Sequence, residues 1–234
     1  MDPAAIRAFL RRRFSREEAV GLYFTVSLLM CLAISAGFAL LAREVSLTTI
    51  TPKSFDGVVG GFLYGLRSPS RTRAMELVTF FGDARFVVGA TVAVSLGLLL
   101  VHRRVSALLF VGTVVGGFSL MSAFKIVFFR ARPQLWPALV KETTYSFPSG
   151  HATMSTVFFG GLVAVVFHLS QRRLHRVLAA LVASVFVTGV AVSRIYLGAH
   201  WATDTIAGIL LGLFWVVLYA TGTEFVTRAA RRTG

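Results

Sequence analysis

Three short polar clusters interrupt an otherwise apolar chain of 234 residues. Lys125 is followed after six residues by Arg132-Pro133. Ser146-Phe147-Pro148-Ser149-Gly150-His151 leads into an apolar run. Ser193-Arg194, His200 and Asp204 bracket the junction between two further apolar runs. Ionisable groups at membrane depth are costly, so they face a bundle interior or an aqueous cavity and pair with something. Here the cations outnumber the anions, with Asp204 the one well-placed acid beside Lys125, Arg132 and Arg194. Such a surplus calls for an anionic ligand, and the planar fork of arginine matches phosphate oxygens.

Pro148-Ser149-Gly150-His151 reads as a turn opening a helix. Ser149 can cap it, Gly150 lets a ligand approach the backbone, and the free N–H groups sit at the positive end of the helix dipole, a ready anion site. His200 and Asp204 stand at i, i+4, so on a helix the carboxylate can accept a hydrogen bond from the imidazole and raise the basicity of its other nitrogen. That nitrogen can attack phosphorus, which leaves His151 to protonate the leaving oxygen. His151, His200 and Asp204 are also a conceivable zinc set, but the surrounding cations would repel a metal. Arg130 and Lys141 either reach a second phosphate or meet the lipid headgroups; His102, His168 and His175 read as bystanders.

The elements that must hold these residues are membrane helices. At 56% hydrophobic residues the chain is more apolar than a soluble domain. Apolar runs near 20–42, 75–101, 105–128, 151–170, 177–198 and 203–221 predict an all-α polytopic protein, a bundle of six transmembrane helices forming one domain over 1–234. Gly82, Asp83 and Arg85 delay membrane insertion of the second run to about Phe86, and the first reads as an uncleaved anchor. Residues 43–73 read as a loop with an interfacial or re-entrant piece at Val58 to Leu66, either a spacer or a gate for substrate.

The net charge of +14 resides in short basic segments between apolar runs, which points to membrane topology and away from nucleic acid. Arg7, Arg11, Arg12, Arg13 and Arg16, Arg103 and Arg104, Arg172, Arg173 and Arg176, and Arg228, Arg231 and Arg232 share one side of the six-span arrangement. That side is expected to be cytoplasmic, with both termini, which turns the polar clusters to the periplasm or exterior; Arg67, Arg71 and Arg73 are the exceptions. Gly112 with Gly116, and Gly208 with Gly212, are spaced for close helix packing, and Trp136, Tyr145 and Trp201 for membrane edges. Cys31, the lone cysteine, excludes an internal disulfide.

Together, Lys125-(six residues)-Arg132-Pro133, Pro148-Ser149-Gly150-His151 and Ser193-Arg194-(five residues)-His200-(three residues)-Asp204 resemble the three-part signature of the type 2 phosphatidic acid phosphatase superfamily, whose core is related to vanadium haloperoxidases. The resemblance spans a core of about 77–221. It implies a bacterial inner-membrane lipid phosphatase in which His200 forms a phosphohistidine, Asp204 orients it, and His151 serves as acid and then base. Lys125, Arg132, Ser149, Gly150 and Arg194 would hold the phosphoryl oxygens. No cofactor, no metal and no obligate protein partner is implied. The substrates it admits are phosphatidic acid, phosphatidylglycerol phosphate, undecaprenyl diphosphate and the phosphates of lipid A; a lipid phosphotransferase using the same histidine and an anion transporter or channel are the competing readings.

Overall fold

Apolar runs of this length form helices because lipid offers the backbone N–H and C=O groups no other partner, and polar caps divide them. The structure, a computed structural model, describes residues 19–47 and 49–233, with side chains over 22–47 and 49–224. Arg7, Arg11, Arg12, Arg13 and Arg16, and the side chains of Arg228, Arg231 and Arg232, lie outside the described residues. Eight helices follow one another among the described residues: α1 (Ala19–Leu47), α2 (Phe55–Gly65), α3 (Pro69–Phe80), α4 (Ala84–Leu100), α5 (Arg104–Lys125), α6 (Gly150–Leu169), α7 (Arg173–Tyr196) and α8 (Ala202–Thr233). The caps are those that the chemistry favours: the side chains of Ser54, Ser68, Asp83 and Ser149 each accept a backbone N–H in the first turn, and Pro69 follows Ser68 where its missing N–H does no harm.

Among the described residues five helices are long and apolar enough to cross a membrane, and α3 with α4, bent by 47°, adds a sixth where the bent pair is counted as one broken span. The run predicted over 75–101 is therefore broken at Phe81-Gly82-Asp83, where Asp83 caps α4 and pairs with Arg85. The break has a tertiary partner. A side chain at Gly82 would collide with Val190 and with the carbonyl and Cβ of His151, 2.7–3.1 Å away. Within residues 43–73, α2 falls on the piece expected at Val58 to Leu66, and the ends of the stretch belong to α1 and α3.

Leu32, Leu40, Val92, Leu108 and Val185 are all more than half exposed, as lipid-facing residues must be where the bilayer is the solvent. The interior is built from phenylalanine: Phe38, Phe110, Phe147, Phe158 and Phe159 share a core with Val87, Met154, Val157 and Leu211, joining α1, α4, α5, α6 and α8. The glycine pairs act as spacers, as expected. Trp215 and Tyr219 of α8 lie where side chains at Gly116 and Gly112 of α5 would be. Gly208 brings α8 to within 2.7 Å, measured from an imagined Cβ, of the Ser149 carbonyl, and Gly212 seats against Thr156. Helices α6 and α8 thus lie backbone against backbone where both begin.

Candidate active site

Chain direction carries the chemistry-bearing residues to one end of the bundle. Lys125 closes α5, Gly150 and His151 open α6, Arg194 lies in the last turn of α7 and Asp204 in the first turn of α8. Arg132 comes from the connection between α5 and α6, and His200 from the tight link between α7 and α8. That link turns on Gly198, at φ 74°, and the N–H groups of Ala199 and His200 return to the Arg194 carbonyl at 3.0 and 3.3 Å. The backbone N–H of Ser149 donates to the Asp204 carbonyl at 3.0 Å, fastening the start of α6 to that of α8.

Asp204 is fully buried. Its Oδ2 accepts the Trp201 N–H at 2.9 Å, a cap across the first turn of α8, and the Ser146 hydroxyl; its Oδ1 accepts from Arg130. Donors therefore occupy both oxygens, which takes Asp204 out of the zinc set considered from the sequence. The competition also moves His200. A direct hydrogen bond to Asp204 was expected, but Nδ1 lies 3.6 Å from Oδ2 and 2.8 Å from the Ser146 carbonyl. A carbonyl only accepts, so Nδ1 carries the proton and the lone pair is on Nε2. Nε2 sits 3.3 Å from Nη1 of Arg132, at the mouth of the cationic cluster. His200 itself is 2% exposed, and burial pushes its imidazole down to about 4 against the pull of Asp204.

The other cations gather at the same end of the bundle. Lys125 Nζ donates to the Tyr145 carbonyl at 2.9 Å and to Thr144 Oγ1 at 3.2 Å. Arg132 donates to the Thr144 and Ala199 carbonyls, both at 2.7 Å. Arg194 is buried, donating to Thr79 Oγ1 at 3.1 Å and to Glu142. Gly150 lies beneath Lys125, whose Cε is 3.5 Å from where a Cβ would be. Ser149 is wholly buried, its Oγ accepting the Ala152 N–H at 3.5 Å, and His151 is half-buried against Gly82.

The acids depart most from expectation. Asp204 is not the one acid: Glu142 pairs with Arg194, with Arg132 at 3.8 Å, and Asp56 is buried. Asp56 accepts from Arg130 at 2.7 Å and from the N–H and hydroxyl of Thr203 at 2.8 and 2.7 Å. Arg130 thus bridges Asp56 and Asp204 and reaches neither a second phosphate nor the headgroups, a correction that follows from its burial. Asp56 was legible only as an acid two residues after a capping serine; nothing local says that α2 docks on α8. Arg67 and Arg71, two exceptions to the charge rule, are likewise structural: Arg67 donates to the carbonyls of Tyr196, at 3.0 and 2.8 Å, and Pro137, at 2.6 Å, and Arg71 to that of Leu66. A cavity of about 700 Å³ lined by Tyr23, Phe110, Phe167 and Tyr219 opens at the other end of the bundle.

Residues 105–228 match the family model described as the PAP2 superfamily, more than half of the chain. The chain belongs to the PAP2 superfamily. Phosphatidylglycerophosphatase B of Bacillus subtilis (strain 168) is 27% identical over 192 residues, covering 82% of this chain and 93% of that protein. Among solved structures, the transmembrane PAP2-type phosphatidylglycerolphosphate phosphatase from Bacillus subtilis superposes with a TM-score of 0.75 at 24% identity, over 84% of this chain and 96% of that one. LpxE of Aquifex aeolicus does so at 0.57 and 18%, over 74% and 98%. The fold is that of an all-helical, multi-pass PAP2 membrane phosphatase.

Proposed function

We propose that this PAP2 protein hydrolyses the terminal phosphate of a membrane lipid through a phosphohistidine on His200. The observation that carries the reading is the placement of His200 Nε2: its partner nitrogen is tied to the Ser146 carbonyl, and Nε2 keeps its lone pair 3.3 Å from Nη1 of Arg132. In the first step Nε2 attacks phosphorus in line and the P–O bond to the lipid breaks. Lys125, Arg132, Arg194 and the N–H groups at the start of α6, at Gly150, hold the equatorial oxygens, with Ser149 fixing that start. Phosphoryl transfer needs little beyond such positioning and neutralisation of charge. His151 gives its proton to the leaving oxygen. In the second step His151 takes a proton from water, which attacks the same phosphorus and frees His200. Asp204, 3.6 Å from Nδ1, stabilises the imidazolium while the phosphoryl group is attached.

Phosphatidylglycerol phosphate is the first substrate to try, because the Bacillus subtilis relative is named for that activity. The site's end of the bundle is assigned to the outer face of the cytoplasmic membrane, since Arg103, Arg104, Arg172 and Arg173 lie at the other end. The test is a panel of lipid monophosphates and diphosphates given to purified protein in detergent with EDTA and no acceptor lipid. Release of inorganic phosphate is expected, greatest from phosphatidylglycerol phosphate. Turnover only with added divalent metal, or only with an acceptor lipid, would overturn the hydrolytic, metal-free reading.

A further inference from the structure

Glu142 stands on the connection between α5 and α6, half-buried, with Oε1 on Nη2 of Arg194 and Oε2 3.8 Å from Nη2 of Arg132. To a guanidinium, a carboxylate and a phosphoryl group offer the same feature, paired anionic oxygens in fork geometry. Arg194 has capacity for more than it now holds: its side chain is buried, and its Nε has no acceptor among the described residues. Burial pushes the Glu142 carboxyl up, but Arg194 and then Arg132 outweigh that and hold it below the usual carboxylate range, so Glu142 is ionised at neutral pH.

We infer that Glu142 is a tethered competitor of the substrate: its carboxylate occupies the phosphoryl position on Arg194 and Arg132, and must leave before phosphate can bind. The inference rests on the proposed phosphate-holding role of those arginines. The neighbouring chain suits such an exchange. Thr144 and Tyr145, immediately after Glu142, are fastened to Arg132 and Lys125 through their carbonyls at 2.7 and 2.9 Å, so the cations stay in place when the Glu142 side chain swings away. Lys141 and Thr143 on either side are exposed, leaving room outside for the displaced carboxylate. The incoming phosphoryl group brings more charge than the carboxylate and has oxygens enough to meet Nε of Arg194 as well. Glu142 thereby sets a threshold. Weakly held anions, such as the single-charged phosphodiester headgroups that surround the protein, do not displace it.

The test is Glu142→Gln, which keeps shape and removes charge. If the competent, open form of the wild-type site is populated at about one part in ten, the inhibition constant for inorganic phosphate falls about tenfold in the variant. The rise in Tm on adding phosphate, which needs no turnover, should grow in parallel. Should the variant fail to fold with Arg194 unpaired, Glu142→Asp retains the charge on a shorter arm and should give an intermediate gain. An active wild type whose phosphate inhibition is unchanged or weaker in these variants overturns the inference alone. A wild type that neither releases nor binds phosphate overturns the reading of the site on which it rests.

Discussion

At the scale of single residues, the site is a contest for a few acceptors. Asp204 has two oxygens and three donors, so His200 turns to the Ser146 carbonyl instead. The cradle and the two histidines were legible in the sequence because cations at membrane depth demand a reason. Glu142 and Asp56 were not, because an isolated acid carries no local mark of the partner it will meet. Burial of His200 has a titration consequence. Its imidazole is held at about 4, so the neutral form persists down to that pH and is lost below it. Because the unfolded chain takes up this proton near 6.5, the contribution to stability is complete above that pH and erodes as pH falls toward 4. Ring-nitrogen chemical shifts of His200 in detergent should titrate with a midpoint near 4; a midpoint near 6.5 would mean that the ring is hydrated.

At the scale of elements, the site is only as well formed as the contact between α6 and α8. A Cβ at Gly212 would lie 2.6 Å from that of Thr156, so Gly212→Leu must part the two helices two to three turns in from the site. Overpacking of this kind costs about 1–3 kcal/mol, and phosphate release should fall with the Tm. Gly89→Ala in α4, where nothing lies within 4 Å, should leave both unchanged or raise the Tm slightly, since alanine favours helix. Equal losses from the two substitutions would remove the special role of the α6–α8 contact. The spacing of Gly208 and Gly212 announced the contact from the sequence. The break between α3 and α4 was half-announced: Gly82, Asp83 and Arg85 marked a polar interruption, but hydropathy alone cannot say that Gly82 is small because His151 packs on it.

At the scale of the molecule, the gathering of three motifs at one end follows from alternating helix direction, which is why the sequence revealed it. The roles of Arg67 and α2 depend on long-range docking onto α7 and α8, which no periodicity encodes. The orientation has its own test. Gln134 is exposed at the site's end and Cys31 is buried, so a Gln134→Cys variant should react with an impermeant thiol reagent in intact cells. Labelling only after lysis would reverse the topology. The central claim, that His200 is the nucleophile of a lipid phosphate hydrolase, is tested most directly by phosphate release from phosphatidylglycerol phosphate with His200→Ala purified beside the wild type. The account predicts release by the wild type and none above background by a variant that remains folded at the assay temperature; near-normal turnover by that variant would contradict it.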